Sequence, residues 1–137
     1  MAWVIDDVSM PKDGRMSVAP QYCGALGKRA NCQAAVSVHA ASDSALPFAV
    51  EVVPAEDWAA DSHRRTRTLI PPEITHREKW RPALDLLDSL VDWGMTPLVV
   101  ADAAYGTNAH LRAALSKRGL TYVQSIRSDV SAHPFDT

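Results

Sequence analysis

The chain has 137 residues and a formal net charge of −2. That is one domain's worth of polypeptide, without the overall basicity of a dedicated nucleic-acid module. Hydrophobic residues make up 47 % and charged residues 22 %, ordinary for a globular domain, and no apolar run is long enough to span a bilayer. The N-terminus lacks the basic flank and apolar segment of a signal peptide. Cys23 and Cys32 are too few for the disulfide framework of a small secreted domain, so an intracellular protein is expected.

Trp3-Val4-Ile5-Asp6-Asp7-Val8 opens the chain as a strand, β-branched and aromatic residues leading into two acids. Met10 to Arg15 reads as a turn punctuated by Pro11 and Asp13-Gly14, and Tyr22 to Arg29 is a Gly-rich, basic connection. Gln33 to His39 and Phe48 to Val53 read as a second and a third strand, separated by the polar break Ser42-Asp43-Ser44. Short polar connections of this kind suggest an antiparallel meander. Residues 54–79, with Arg64, Arg65, Arg67 and Pro71-Pro72, read as an irregular or partly helical excursion.

The clearest helix is Trp80 to Trp93, where Trp80, Leu84, Leu87, Leu90 and Val91 share one face. Pro82 suits the first turn, and Gly94 is placed as the residue just past the end. Leu98-Val99-Val100-Ala101 follows. An unbroken apolar run of this length reads as a strand buried on both faces, the habit of parallel sheets. Tyr105-Gly106-Thr107 then makes a turn, with Thr107 or Asn108 capping a helix that runs to about Lys117 and is stopped by Gly119. Tyr122 to Ile126 reads as the last strand. The expected fold is α/β, with a mixed sheet and element order β-β-β-α-β-α-β over residues 1–137.

Asp102 falls at the carboxyl end of its strand, where open α/β sheets bind ligands. An Asp there also serves well as a turn or cap residue. If the first and fourth strands are neighbours, Asp6 and Asp102 converge. Two nearby carboxylates repel, and a divalent cation between them keeps both ionised. Oxygen-only ligation suits Mg²⁺ or Mn²⁺.

Four segments carry a resemblance. Val4-Ile5-Asp6-Asp7 and Pro11-Lys12-Asp13-Gly14 come first, then Gln21 to Lys28 with Ala30-Asn31-Cys32-Gln33, then Ala101-Asp102-Ala103-Ala104-Tyr105-Gly106. In this order they resemble bacterial insertion-sequence transposases with a DDE catalytic domain. Glu56-Asp57-Trp58-Ala59, Arg64-Arg65 and Lys79-Trp80 are similar to that family's middle section. The resemblance implies an RNase H-like fold and metal-assisted phosphoryl transfer on DNA, with transposon ends and target DNA as partners. It makes Asp6 the first catalytic acid and Asp102 the second, each holding Mg²⁺ or Mn²⁺, with Asp6 bridging two ions. Asp7 is the alternative to Asp6, which is preferred because the neighbouring acid varies in type in similar sequences. Val8 stands where a hydroxyl residue is usual, and Pro20 where an Arg is usual.

The third acid of that family is a Glu on a later helix. Glu51, Glu56, Glu73 and Glu78 all precede Asp102, so none can fill that position. The expectation is therefore the N-terminal part of a catalytic domain, truncated before its C-terminal helix and Glu and without an end-binding region. Such a fragment would be inactive alone, with any homo-oligomer belonging to the full-length, nucleoid-associated parent. The alternative is an inactive α/β relic with only weak DNA or protein contacts. Lys12, Lys28 and Arg29 are candidates for phosphate contact, which positions DNA without reading its sequence. The arginines at 64, 65 and 67 are either a second basic patch or a solvated face. Cys23, Cys32 and His39 match no common zinc spacing and lack a fourth ligand, so the cysteines are expected as buried thiols. Trp80 and Trp93 are expected in the core, and Trp58 as a local anchor.

Overall fold

The computed structural model describes residues 1–134. Its strands are β1 (Ala2–Pro11), β2 (Ala19–Cys23), β3 (Lys28–Ala41), β4 (Ala45–Val53), β5 (Val99–Ala101) and β6 (Tyr122–Gln124). Its helices are α1 (Glu56–Ala60), α2 (Ser62–Thr68), α3 (Trp80–Asp92), α4 (Ala103–Gly106) and α5 (Ala109–Lys117). The six strands form one mixed sheet in the order β2-β3-β1-β5-β6, with β4 also paired to β3. β1, β3 and β4 pair antiparallel, whereas β5 joins β1, and β6 joins β5, in parallel. The expected mixed α/β architecture is present, with one strand more than the element order anticipated.

That extra strand is β2. The basic, Gly-rich segment is the tip of a hairpin whose arms are Ala19–Cys23 and the start of β3. Gly27 turns the chain at φ 64°, a conformation that favours glycine. Several other boundaries differ. β1 runs to Pro11 into the segment read as a turn, and the second strand lengthens to Lys28–Ala41. The last strand ends at Gln124 rather than Ile126. The excursion over 54–79 contains α1 and α2, and Trp58 anchors it by donating its indole N–H to the Val18 carbonyl at 2.8 Å.

α3 buries Pro82, Ala83, Leu84, Leu87 and Leu90, as its spacing requires. It contacts β3, β4 and α5. Leu111 and Leu115 of α5 complete a core with Trp3, Ile5, Val36, Val38 and Val99. Each fully buried Leu or Ile contributes about 1.5–3 kcal/mol. Two expectations fail here. Val91, assigned to this face, is exposed, and Trp93, expected in the core, is 67 % exposed, although its ring edge meets Phe48 at 5.3 Å between centroids.

Both helices cover the same face. The residues that alternate with the core set point the other way, and Val50, Val52 and Val123 among them are exposed. Val100 is only half-buried, so the Leu98–Ala101 run is covered on one face rather than both. A continuous apolar run therefore reflects strand neighbours as well as facing layers.

Candidate active site

Ile5 of β1 and Ala101 of β5 are register partners on adjacent parallel strands. Asp6, the next residue of β1, and Asp102, the first residue past β5, follow them. Ile5 and Ala101 are buried under the helices, so alternation carries Asp6 to the opposite, open face. Asp102 is still extended (φ −75°, ψ −177°) and caps α4 by accepting the Ala104 N–H at 2.8 Å on Oδ1. Asp6 accepts the Asp7 N–H at 2.8 Å, also on Oδ1. Among the described residues, the second oxygen of each carboxylate has no hydrogen-bond partner. The Ser37 hydroxyl, fully buried, lies across from Asp6 in the register and donates to the Asp6 carbonyl at 3.3 Å.

Asp7 has a different environment. Its Oδ1 accepts the Tyr105 hydroxyl and its Oδ2 the Lys79 ammonium. Burial of the Tyr105 ring raises the phenol pKa well above its ordinary range. Asp7 adds to that rise as bond acceptor and neighbouring charge, and Asp6 and Asp102 contribute as further charges. All three carboxylates therefore act on one buried hydroxyl. A hollow of about 250 Å³ lies beside Asp7, lined also by Glu78, Lys79, Trp80, Tyr105 and Asn108 among others, and it includes neither Asp6 nor Asp102. A larger cleft of about 450 Å³, between β4 and the segment after α2, includes neither Asp6 nor Asp102.

The donor chemistry of Asp6 and Asp102 fits a hard divalent cation, since each offers a free carboxylate oxygen. Among the described residues no three His, Cys, Asp or Glu side chains converge on one metal position. A cation held by these two carboxylates alone would take water for its remaining ligands.

The other candidate residues scatter. Lys12, Lys28 and Arg29 are exposed near the β1–β2 connection and the hairpin tip. Lys12 donates to the Met16 carbonyl at 3.2 Å and Arg29 to the Pro20 carbonyl at 2.8 Å. The arginines of α2 serve the fold. Arg64 pairs with Asp57 at 3.0 Å, and Arg65 donates to the Ala59 carbonyl at 2.9 Å. Cys23 and Cys32 are buried free thiols. The Ser9 hydroxyl beside Cys23 lowers its pKa, and burial raises that of Cys32. Lys79, Tyr105 and Ser37 received no chemical role from the sequence. Lys79 and Tyr105 do fall inside the segments that carry the resemblance, which was the available signal.

A family model described as DDE superfamily endonuclease matches residues 1–137. The chain belongs to this family. Its six-stranded mixed sheet with helices is consistent with an RNase H-like fold. Membership supports nuclease- or transposase-type action on DNA and the general use of divalent metals. No curated protein and no solved structure matches. Among the described residues no helix is long and apolar enough to cross a membrane.

Proposed function

We propose that this chain carries part of the catalytic site of a bacterial insertion-sequence transposase. Asp6 and Asp102 would be two of its acidic ligands, and strand cleavage and transfer at transposon ends and target DNA its reaction. The observation that supports the reading is the register of β1 and β5: Ile5 pairs with Ala101, so Asp6, within β1, and Asp102, just past β5, follow together where the parallel pairing ends.

Asp6 and Asp102 would hold Mg²⁺ or Mn²⁺. A divalent ion bound there supplies Lewis-acid activation of an attacking hydroxyl and neutralises charge at the scissile phosphate. The chain's own groups do the rest. The N-cap bond from Ala104 fixes the Asp102 carboxylate at the start of α4. The Ser37 hydroxyl steadies the backbone at Asp6. Lys12, Lys28 and Arg29 offer phosphate contacts along the strand-turn edge, which orient DNA without selecting its sequence. No protein nucleophile is required. A nucleoid location and any homo-oligomer follow from this reading and belong to it.

The test is affinity cleavage. Fe²⁺ loaded in place of Mg²⁺, with ascorbate and peroxide, cuts a polypeptide beside its ligands. Cuts near residues 6 and 102 that disappear in Asp6→Asn and in Asp102→Asn support the proposal. Cuts elsewhere, or cuts that survive both substitutions, contradict it. The rival reading, an inactive relic, predicts no localised cutting in the wild type.

A further inference from the structure

We infer that Asp7 is a positioning residue of this site, acting through Tyr105 and Lys79 to fix Asp6 against Asp102, and that it does not itself hold the ion. The inference rests on the reading of Asp6 and Asp102 as the ion-holding pair.

Adjacent residues of a strand face opposite ways. Asp7 therefore points to the helix side, with Trp3 and Ile5, while Asp6 points to the open side. Both Asp7 oxygens are already engaged by donors from distant elements. Tyr105 is 3 % exposed and sits in α4, the single turn that Asp102 caps. One hydrogen bond thus closes a loop of structure. It runs from Asp6 through the next peptide to the Asp7 carboxylate, across to the Tyr105 phenol, and back through α4 to Asp102. Lys79, at the N-cap position of α3, ties the same carboxylate to a third element.

The charges agree with this assignment. Three carboxylates near one point repel, and Lys79 neutralises the one that faces away from the pair. If Asp7 turned to hold an ion, it would abandon Lys79 and leave the buried Tyr105 hydroxyl without an acceptor, a costly exchange. Groups that orient metal ligands from behind commonly alter metal affinity by about 10–100-fold when removed.

Mn²⁺ affinity, read from the electron paramagnetic resonance of the free ion, tests this on the whole chain. Each variant is paired with a melting temperature. Asp6→Asn should abolish binding. Asp7→Asn keeps an oxygen that can accept from Tyr105, and should retain binding within about ten-fold of wild type. Asp7→Ala and Tyr105→Phe remove one end of the strap and should each weaken binding by about ten-fold or more. Rescue by Asn relative to Ala is the readout that simple loss of folding does not produce. Where Asp7→Ala fails to fold, Tyr105→Phe decides the matter. Loss of binding in Asp7→Asn as complete as in Asp6→Asn would make Asp7 a ligand and overturn the inference alone. Wild-type affinity in Tyr105→Phe would overturn it too. If wild type and Asp6→Asn are equally unable to bind Mn²⁺, the functional reading fails, and the inference fails with it.

Discussion

The Tyr105 hydroxyl donates to the carboxylate of Asp7, a residue 98 positions earlier in the chain. This contact joins β1 to α4, and so joins the backbone that carries Asp6 to the turn that carries Asp102. It also predicts a pH dependence. Burial first, and the neighbouring carboxylate second, raise the phenol pKa in the folded protein. The unfolded chain ionises this group near pH 10, so it binds fewer protons than the fold does above that pH. The contribution to stability is present in full below about pH 10 and is lost as the pH climbs further. Alkaline unfolding of the wild type should therefore steepen above about pH 10, and Tyr105→Phe should flatten that limb. An identical alkaline limb in the two proteins would contradict the assignment.

Gly106 ends α4 where the chain after β6 comes closest. A Cβ at this position would lie 1.9 Å from the Ser125 carbonyl oxygen and 2.8 Å from the Gln124 Cβ. Backbone atoms cannot step aside cheaply, so Gly106→Ala should cost about 3 kcal/mol, the upper part of the range for overpacking. Because α4 contains Tyr105 and is capped by Asp102, Mn²⁺ affinity should fall with it. The check is a urea unfolding curve. An unshifted midpoint would show that β6 yields freely.

Two contacts of similar prominence should differ widely in energy. Arg118 grips Asp88 with two bonds, at 2.6 and 2.8 Å, but both side chains remain substantially solvated. An exposed pair of this kind contributes at most about 1 kcal/mol, and 1 M salt should erase it. Leu87 is fully buried between α3 and the sheet, and Leu87→Ala should cost about 2–5 kcal/mol. Denaturant midpoints at low and high salt separate the two. A larger loss for Arg118→Ala than for Leu87→Ala would reverse this ranking.

α3 was legible because its apolar spacing is local, and Asn108 was legible as a cap because its side chain meets the Leu111 N–H three residues on. The adjacency of the first and fourth predicted strands was a condition of the reading, and the pairing of β1 with β5 meets it. β2 was not legible. Pro20 and the glycines mask a short strand whose pairing is fixed by the hairpin rather than by its own pattern. Gly106 was assigned to a turn, whereas its role is a close approach to a segment nearly 20 residues later. The bonds from Lys79 and Tyr105 to Asp7 span 72 and 98 residues. No local pattern encodes contacts of that reach, so the engagement of both Asp7 oxygens was not legible in the sequence.

DNA binding should be weak and steeply salt-dependent. The candidate contacts are cationic side chains to phosphate on a chain of net charge −2, and counterion release then dominates the affinity. Lys28→Ala and Arg29→Ala should lower affinity alike for unrelated sequences, measured by fluorescence anisotropy across a salt series. Sequence-dependent losses would mean that these residues read bases.

The most direct measurement is a calorimetric titration of Mn²⁺ into the wild-type chain and into Asp102→Asn, which removes a charge while keeping the side chain's shape. The account predicts weak binding of one ion in the wild type, with most of its ligands water, and no detectable binding in the variant. Undiminished Mn²⁺ binding by Asp102→Asn would contradict it, because the cation would then be held elsewhere in the chain.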